Sequence, residues 1–354
     1  MTTKLVHSFI LSFVFLTSNS QDIPLYIGTY TSGNSEGIYK MTFNTKTGVL
    51  HDLQLAVKAE NPSFLAFSPK KNYLYAVGEG QTSAVMAFKM KPDGYLQHIN
   101  TENSEGKGPC HISINQEGNL AVVSNYGGGT VSFLPINTNG ALSEASQVFN
   151  HNTETEKAHA HSAKFFKNDI YVADLGRNAL YQYQLKDTKY QLKSDSLIET
   201  TGNPGPRHFE ITKDGQFIYI INEYGGSITS IKKIGNGFKM IDYDSTLDPD
   251  FKGKNKCADI HLSHDERFLY GSNRGENTIA VFKRDTKTGE IDKIQSISVH
   301  GDWPRNFTLD PTGNFLLVAN KLSENIAVYS IDKNSGQLTF LHDVKVPTPV
   351  CLLF

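Results

Sequence analysis

The most constraining feature of this 354-residue sequence is that it repeats itself. Six segments begin with a small or proline residue followed by a short apolar run, as in GPRHFEITK from Gly205 and WPRNFTLDP from Trp303. The aligned residues, spaced 47, 51, 46, 51 and 47 positions apart, are Pro62, Pro109, Ala160, Pro206, Cys257 and Pro304. Each copy continues through a turn into a β-branched and aromatic run. This period and pattern predict the four-stranded blades of a β-propeller.

The two ends of the repeat region complete each other. LYIGTY, from Leu25, matches the second strands of the other repeats, so the first repeat lacks a first strand. The segment PTPVCLLF resembles first strands, and its Pro349 lies 45 residues after Pro304. We therefore expect Pro349–Phe354 to pair with the N-terminal blade and close an all-β, seven-bladed ring spanning residues 21–354.

The first twenty residues have the pattern of a secretory signal peptide. Lys4 supplies a positive charge, and Phe9–Leu16 is an apolar run shorter than the roughly 20 residues that a membrane span requires. Ser18-Asn19-Ser20 then offers a small-residue cleavage site. We expect residues 1–20 to be a signal peptide, the protein to be exported, and no stable membrane insertion; the alternative is a buried apolar segment of the fold.

Charge and cysteine usage exclude several classes of partner. The chain has 34 basic and 36 acidic residues, a formal net charge of -2, and no long charge run. This balance argues against nucleic acid as a partner, because phosphate-backbone binding needs a basic face. Three cysteines without CxxC spacing do not indicate a disulfide framework or a structural zinc site. We expect Cys110, Cys257 and Cys351 to be small buried side chains.

Equivalent positions in different blades form rings around one mouth of a propeller channel. The position after each aligned residue reads Ser63, Cys110, His161, Arg207, Ala258, Arg305 and Val350, and the ends of the second strands read Tyr30, Glu79, Asn125, Leu175, Glu223, Arg274 and Lys321. His161, Arg207, Glu223, Arg274, Arg305 and Lys321 all fall in blades four to seven. An arc of excess positive charge predicts an anion-binding site, for which the planar arginine fork is suited. The alternative is a structural salt-bridge network.

Other histidines lie close to these rings. His111 and His208 share the next ring position with Asp259 and Asn306, so they either line the channel, where they would contact substrate, or satisfy backbone groups. His159 and His161 are two residues apart and would face the same way on a strand, but the sequence offers no obvious third metal ligand. We expect no metal and no cofactor. Trp303 either walls the pocket or packs.

The motifs YIGTYTSGNSEGIY, HAHS, GPRH, INEYGGS, SNRG and WPRNF together resemble the seven-bladed lactonase family. That family includes a bacterial type of 6-phosphogluconolactonase and a fungal carboxymuconate-lactonising enzyme. The resemblance covers nearly the whole chain after residue 20. It implies an active set of a histidine, two arginines and a glutamate, which falls on His161, Arg207, Glu223 and Arg274, and it implies no metal requirement.

The resemblance and the charged arc together predict an enzyme that hydrolyses the lactone of an anionic sugar acid, and a closed propeller favours a monomer. His161 is the expected base, because histidine titrates nearest to neutral pH, with Glu223 orienting it or an arginine; the reverse assignment stays open. Arginine donors would stabilise the oxyanion. Arg305, Lys321, His208 and His111 would bind substrate. The alternatives are a lactonising enzyme or a non-catalytic propeller that binds a protein or glycan, since FLLVANKLSENIAVYSID resembles surface-layer propeller repeats.

Overall fold

The structure is a computed structural model that describes residues 21–80, 82–194, 196–198 and 202–354. The predicted signal peptide, residues 1–20, lies outside the described residues. Within the described part, all the secondary-structure elements are β-strands. No helix in this part is long and apolar enough to cross a membrane. The strands form seven four-stranded antiparallel sheets, which confirms the seven-bladed propeller.

Each blade is a meander that runs from an inner to an outer strand, in the order in which its strands are named here. The first three blades contain β28 (Pro349–Leu353), β1 (Asp22–Thr29), β2 (Gly37–Asn44), β3 (Leu50–Lys58); β4 (Pro62–Phe67), β5 (Tyr73–Gly78), β6 (Ala84–Met90), β7 (Leu96–Asn103); β8 (Pro109–Ile114), β9 (Leu120–Asn125), β10 (Thr130–Pro135) and β11 (Gln147–Asn150). Blades four and five contain β12 (Ala160–Phe166), β13 (Asp169–Asp174), β14 (Ala179–Lys186), β15 (Lys189–Ser194); β16 (Pro206–Ile211), β17 (Phe217–Asn222), β18 (Ser227–Ile234) and β19 (Gly237–Ser245). Blades six and seven contain β20 (Lys256–Leu262), β21 (Phe268–Arg274), β22 (Thr278–Arg284), β23 (Ile291–Ser298); β24 (Pro304–Leu309), β25 (Phe315–Asn320), β26 (Asn325–Ile331) and β27 (Leu338–Lys345).

The ring closes as the repeat count predicts. Strand β28 pairs antiparallel with β1, with Leu353 opposite Tyr26 and Cys351 opposite Gly28. The inner strands contact one another in succession around the axis, and β28 contacts both β24 and β4. Each of the seven blade interfaces contains its own buried apolar cluster. Burial of apolar surface between blades therefore stabilises the whole ring.

An irregularity at the start of the inner strands positions the site. In blades two to seven the register between the first and second strands shifts directly after the first inner-strand residues, as between Ala160 and Ser162 or Pro206 and His208. Such a bulge leaves the extra residue unpaired and re-aims its side chain. The unpaired residues include His161, Arg207 and Arg305.

The cysteine expectation is confirmed. Cys110, Cys257 and Cys351 are free, and each is at least 96% buried. Burial raises the pKa of the Cys110 thiol to about 12, so this group beside the channel mouth is neutral at physiological pH.

Closure of the ring can be tested with a matched pair of leucines. Leu352 on β28 is 4% exposed and packs between blades one and seven, whereas Leu322 is 56% exposed. We expect Leu352→Ala to lower the free energy of unfolding by about 2–5 kcal/mol and Leu322→Ala to change it by less than about 0.5 kcal/mol. Denaturant unfolding measures both, and deletion of residues 349–354 should abolish the single cooperative transition. Equal stability of the two variants would contradict closure by β28.

Candidate active site

The predicted ring residues converge on one end of the channel, with one correction. The residue that follows the second strand in blade three is Tyr126, not Asn125, because Asn125 pairs with Pro109 as Asn222 pairs with Pro206. The sequence alignment was therefore displaced by one residue in this blade. Tyr126 stacks on His159 with ring centroids 4.6 Å apart and meets the His161 ring edge-on at 5.6 Å. It forms an aromatic wall of the site that the sequence analysis missed.

Glu223 is the centre of a buried ion cluster. One of its oxygens, Oε2, lies 3.0 Å from Arg207 Nε and 2.8 Å from Arg274 Nη2, while Oε1 lies 3.5 Å from Lys256 Nζ. Arg207, Glu223 and Arg274 are only 1%, 5% and 4% exposed. A carboxylate held this way fixes the positions of two guanidinium groups from neighbouring blades. The structure thus brings together Arg207, Glu223 and Arg274 as predicted.

Backbone carbonyls complete the support of the two arginines. Arg207 Nη1 donates a hydrogen bond to the carbonyl of Ala258, and Arg274 donates to the carbonyls of Lys256 and Cys257 at 3.1 and 2.9 Å. All three acceptors lie at the start of β20, the inner strand of blade six. Each buried cation therefore has hydrogen-bond partners in addition to the shared carboxylate, which offsets part of its desolvation cost.

The charges in this cluster shift one another's pKa values. Burial opposes ionisation of Glu223, but the Arg274 and Arg207 guanidiniums hold its pKa below the ordinary value. Burial, and then the neighbouring Arg207 charge, lower the pKa of Arg274 to about 10. Burial and Arg305 also lower the pKa of Arg207. All three groups are nevertheless ionised at neutral pH, and the two cations share a single carboxylate as their counter-charge.

Arg305 and Lys321 form a second part of the site together with two residues that the sequence analysis had not selected. Arg305 Nη2 lies 3.3 Å from Glu79 Oε2, which also accepts a hydrogen bond of 2.6 Å from the Tyr30 hydroxyl. The Arg305 guanidinium lies 5.3 Å from the Tyr30 ring centroid, and Lys321 Nζ lies 4.7 Å from the same centroid. The charged rim therefore continues into blades one and two. The available signal for Glu79 was that it is the second glutamate of the ring that also contains Glu223.

The histidines of the inner strands lie deeper, around a small cavity in the channel. Its walls include His161, Arg207, His208, Arg305 and Asn306. His161 is 4% exposed, and its Nδ1 has no hydrogen-bond partner. Burial and the charges of Arg207, His208, Arg305 and Arg274 lower the pKa of His161 well below its usual range, so it is neutral. Glu223 bonds the arginines, and no hydrogen bond between Glu223 and His161 is present among the described residues.

His208 and His111 differ in their partners. His208 Nδ1 lies 2.7 Å from Asp259 Oδ1, whereas His111 Nδ1 accepts a weak bond of 3.4 Å from the Ala163 amide. The His111 ring lies 4.3 Å from the Phe64 ring and 5.6 Å from the His208 ring. Both open interpretations of this ring position therefore have support: His208 lines the cavity, and His111 partly satisfies a backbone group.

Trp303 lies against Arg274, with the guanidinium 5.3 Å from its ring centroid. Its backbone has a positive φ of 66°, which is uncommon for an aromatic residue, and its amide donates to Asn277 Oδ1 at 3.0 Å. The conformation recurs just before the inner strand in other blades, at Asn61, Gly108 and Gly205. Trp303 thus occupies a turn position of the repeat and uses its ring to cover Arg274.

A metal centre finds no support in this region. Across residues 21–80, 82–194, 196–198 and 202–354, no group of three or more His, Cys, Asp or Glu side chains could hold a metal ion. His159 Nδ1 is instead bonded to the Tyr126 carbonyl at 2.9 Å. The side chains gathered at this end of the channel carry imidazole, guanidinium, ammonium and carboxylate groups.

Comparison with known proteins identifies the family. The family model described as "Lactonase, 7-bladed beta-propeller" matches residues 24–354. The chain belongs to this lactonase family. A 6-phosphogluconolactonase of Bacillus subtilis is 34% identical over 342 residues, which cover 93% of this chain and 97% of that protein. A 6-phosphogluconolactonase of Formosa agariphila is 32% identical, with 89% and 94% covered.

Solved structures agree with this assignment. The lactonase has a TM-score of 0.87 and 28% identity to the periplasmic gluconolactonase of Pseudomonas aeruginosa, covering 93% of this chain and 98% of that one. A protein from Lactobacillus plantarum also gives a TM-score of 0.87, at 32% identity and with 94% and 98% covered. By family, the chain is a lactonase, a hydrolase of cyclic carboxylic esters.

The role of Glu223 in holding the arginines can be tested by Glu223→Gln. Removing the carboxylate leaves two buried guanidiniums without their counter-ion, so we expect a loss of about 3–5 kcal/mol in the free energy of unfolding at pH 7. Because the folded pKa of Glu223 is depressed, its stabilisation is present above the unfolded pKa and is lost as pH falls through the folded pKa. The difference in stability between the two proteins should therefore shrink in acid.

The matched control is Glu36→Gln, which removes an exposed carboxylate paired with Lys58 at 2.6 Å. Surface pairs contribute little, so the control should unfold as the unmodified lactonase does. Thermal and denaturant unfolding between pH 3 and 8 (roughly the range over which carboxylates and histidines titrate) measure both variants. A Glu223→Gln protein as stable as the control would mean that the buried cluster has another counter-charge.

Proposed function

We propose that this lactonase hydrolyses the lactone of an anionic sugar acid, such as 6-phosphogluconolactone or a related carboxylated lactone. One observation carries the proposal: Arg207 and Arg305 line the same pocket, Arg207 shares Glu223 with Arg274, and Arg305 pairs with Glu79 and lies with Lys321 against the Tyr30 ring. Positive charge exceeds negative charge there, and each arginine is already fixed by a carboxylate. A phosphate or carboxylate entering this site would be bound by preorganised guanidiniums.

The catalytic demands of lactone opening fit the same groups. Attack of water on the carbonyl places negative charge on the carbonyl oxygen, and removal of one preorganised donor to such an oxygen typically costs about 3–4 kcal/mol of transition-state stabilisation. Arg207 and Arg274 are suited to this role because they are buried and held without further reorganisation. The remaining cations, Arg305 and Lys321, would bind the anionic group of the substrate on the side of the site formed with Tyr30 and Glu79.

Glu223 is a poor candidate for the base. Its Oε2 is shared between two guanidiniums, its Oε1 faces Lys256, and its pKa is depressed, so it has little affinity for a proton at neutral pH. Glu223 would act instead by positioning the arginines. Proton transfer then falls to an inner-strand histidine, and His161 and His208 both reach the cavity.

The names of the relatives support a sugar-acid lactone as the substrate, but they differ on whether this lactone carries a phosphate. The Bacillus subtilis and Formosa agariphila relatives are 6-phosphogluconolactonases, and the structural neighbour from Pseudomonas aeruginosa is a periplasmic gluconolactonase. The signal-like pattern of residues 1–20 leads us to propose an exported enzyme, as that neighbour's name states for it. Export would favour lactones that occur outside the cytoplasm, with carboxylated sugars as the first candidates.

The substrate can be tested with a panel of lactones assayed by acid release at constant pH. We expect anionic lactones to have a higher kcat/KM than neutral lactones of the same ring size. Arg305→Lys, which keeps the charge but loses the planar fork, should raise KM for anionic lactones by roughly tenfold, equivalent to about 1.4 kcal/mol of binding. It should affect neutral lactones less.

The same panel distinguishes the alternatives. A preference for neutral lactones that Arg305→Lys leaves unchanged would contradict anion recognition but not lactone hydrolysis. Complete absence of acid release with every lactone would favour a lactonising enzyme or a non-catalytic binding propeller. Measuring the reverse reaction, ring closure of an open hydroxy acid, separates those two.

A further inference from the structure

A buried carboxylate below the charged rim is not explained by anion binding. Asp259 lies in the bulge at the start of β20, is 2% exposed and has no arginine partner. Its Oδ1 accepts hydrogen bonds from His208 Nδ1 at 2.7 Å and from the Ile260 amide at 3.0 Å. Its Oδ2 accepts from Asn306 Nδ2, from the Phe307 amide at 3.3 Å and from His261 Nε2 at 3.2 Å. Groups from blades five, six and seven thus fix this carboxylate.

The hydrogen bond between His208 Nδ1 and Asp259 Oδ1 decides which nitrogen of His208 is free to accept a proton. Burial opposes the charge on Asp259, but the surrounding hydrogen bonds and the His261 and His208 rings hold its pKa well below the ordinary value. An ionised carboxylate can only accept, so His208 Nδ1 carries the hydrogen and Nε2 has the lone pair. His208 Nε2 is buried without a hydrogen-bond partner, and the residue lines the central cavity. An oriented acceptor thus lies at the cavity wall.

Neither neighbouring histidine has this arrangement. His161 lies next to His208, with ring centroids 5.1 Å apart, but its Nδ1 has no partner to select a tautomer. His111 Nδ1 accepts a hydrogen bond from the Ala163 backbone amide. His161 is therefore suited to hydrogen-bond the substrate, whereas His208 has the carboxylate that orients a base and stabilises its protonated form.

We propose that His208 is the general base of the lactonase and that Asp259 is the residue that positions it. The proposal rests on the lactone hydrolysis proposed above. His208 Nε2 removes a proton from water as the water oxygen forms a bond to the lactone carbonyl carbon, and the carbonyl electrons move onto the oxygen near Arg207. When that oxyanion collapses, the ring C–O bond breaks, and the leaving alkoxide takes the proton from Nε2. The product is a hydroxy acid, which releases its carboxyl proton to solvent, and His208 is neutral again.

The charges around His208 predict how substrate changes its affinity for a proton. His208 on β16 faces Arg207 on its own strand, Asp259 on β20, His161 and Lys164 on β12, and His111 on β8. Burial, Arg207 and Lys164 lower the pKa of His208 to about 4 in spite of Asp259. An anionic substrate neutralises part of the nearby positive charge and must raise this pKa, which brings the base closer to its working range.

The test compares pH profiles, since kcat/KM reports the free enzyme and kcat reports the substrate complex. In the unmodified protein we expect the acidic limb of kcat to lie at higher pH than that of kcat/KM. His208→Gln retains a side chain of similar size. It should lower kcat by about 10²–10⁴-fold and abolish the acidic limb of the kcat profile. Asp259→Asn should lower kcat with little change in KM, and shift the acidic limb to lower pH because the charge that favours protonation is gone.

The matched control is a second buried histidine–aspartate pair. His151 Nδ1 lies 2.8 Å from Asp174 Oδ2, but its Nε2 is already occupied by the Tyr183 hydroxyl at 2.6 Å. His151→Gln should lower the melting temperature while leaving the acidic limb unchanged. If Asp259→Asn behaves like this control, Asp259 is only structural and the proposal is wrong.

The remaining outcomes separate this inference from the proposed function. Full kcat in His208→Gln, with normal acid release by the unmodified protein, would reject His208 as the base and leave lactone hydrolysis intact. A limb that disappears in His161→Gln but persists in His208→Gln would assign the base to His161. An unmodified protein without lactonase activity would reject the proposed function itself. If His208→Gln fails to fold, Asp259→Asn and the kcat and kcat/KM profiles of the unmodified protein still decide.

Discussion

Closure of the ring by β28 is the constraint on which the rest of this molecule depends. Because the last strand fills the innermost position of the first blade, all seven inner strands surround one channel, and equivalent positions must face the same space. Residues that are far apart in the chain, such as Glu79 and Arg305, meet at 3.3 Å for this reason. A site built this way loses its geometry if the ring opens, which links the stability of the whole propeller to the catalytic arrangement.

The bulges of the inner strands allow the blades, which otherwise share one geometry, to present different side chains to the channel. A regular strand would send alternate residues to opposite faces, but the register shift at the start of each inner strand leaves one residue, or two in blade six, free to be aimed differently. Blade five uses the position for Arg207 and blade four for His161. Blade six has the wider shift, and it places Ala258 and Asp259 there. The Ala258 carbonyl supports Arg207, while Asp259 holds His208.

The sequence was sufficient to predict the fold and which charged side chains cluster at one end of the channel, but not how those side chains pair. Repeats of similar length predicted the blades, the closure and the arc that contains His161, Arg207, Glu223 and Arg274. The ring position of blade three was assigned to Asn125, one residue too early, and Tyr126 was missed, although Pro109 and Asn125 are as far apart in the sequence as Pro206 and Asn222. Glu79 and Asp259 were seen only as ring members, since their partners lie 226 and 51 residues away and which groups pair depends on side-chain geometry.

The two buried carboxylates of the site are both ionised, and neither is suited to accept a proton. They differ in the groups that surround them. Glu223 is surrounded by guanidiniums and an ammonium, so its charge fixes the cations that we propose to stabilise negative charge on the substrate. Asp259 is surrounded by imidazoles, an amide side chain and backbone amides, so its charge selects a tautomer. The two environments are not interchangeable. A guanidinium beside Asp259 would offset the charge of this carboxylate and so lower the affinity of His208 for a proton. In the proposed mechanism, electrostatic stabilisation and proton transfer therefore each depend on their own carboxylate, in neighbouring blades.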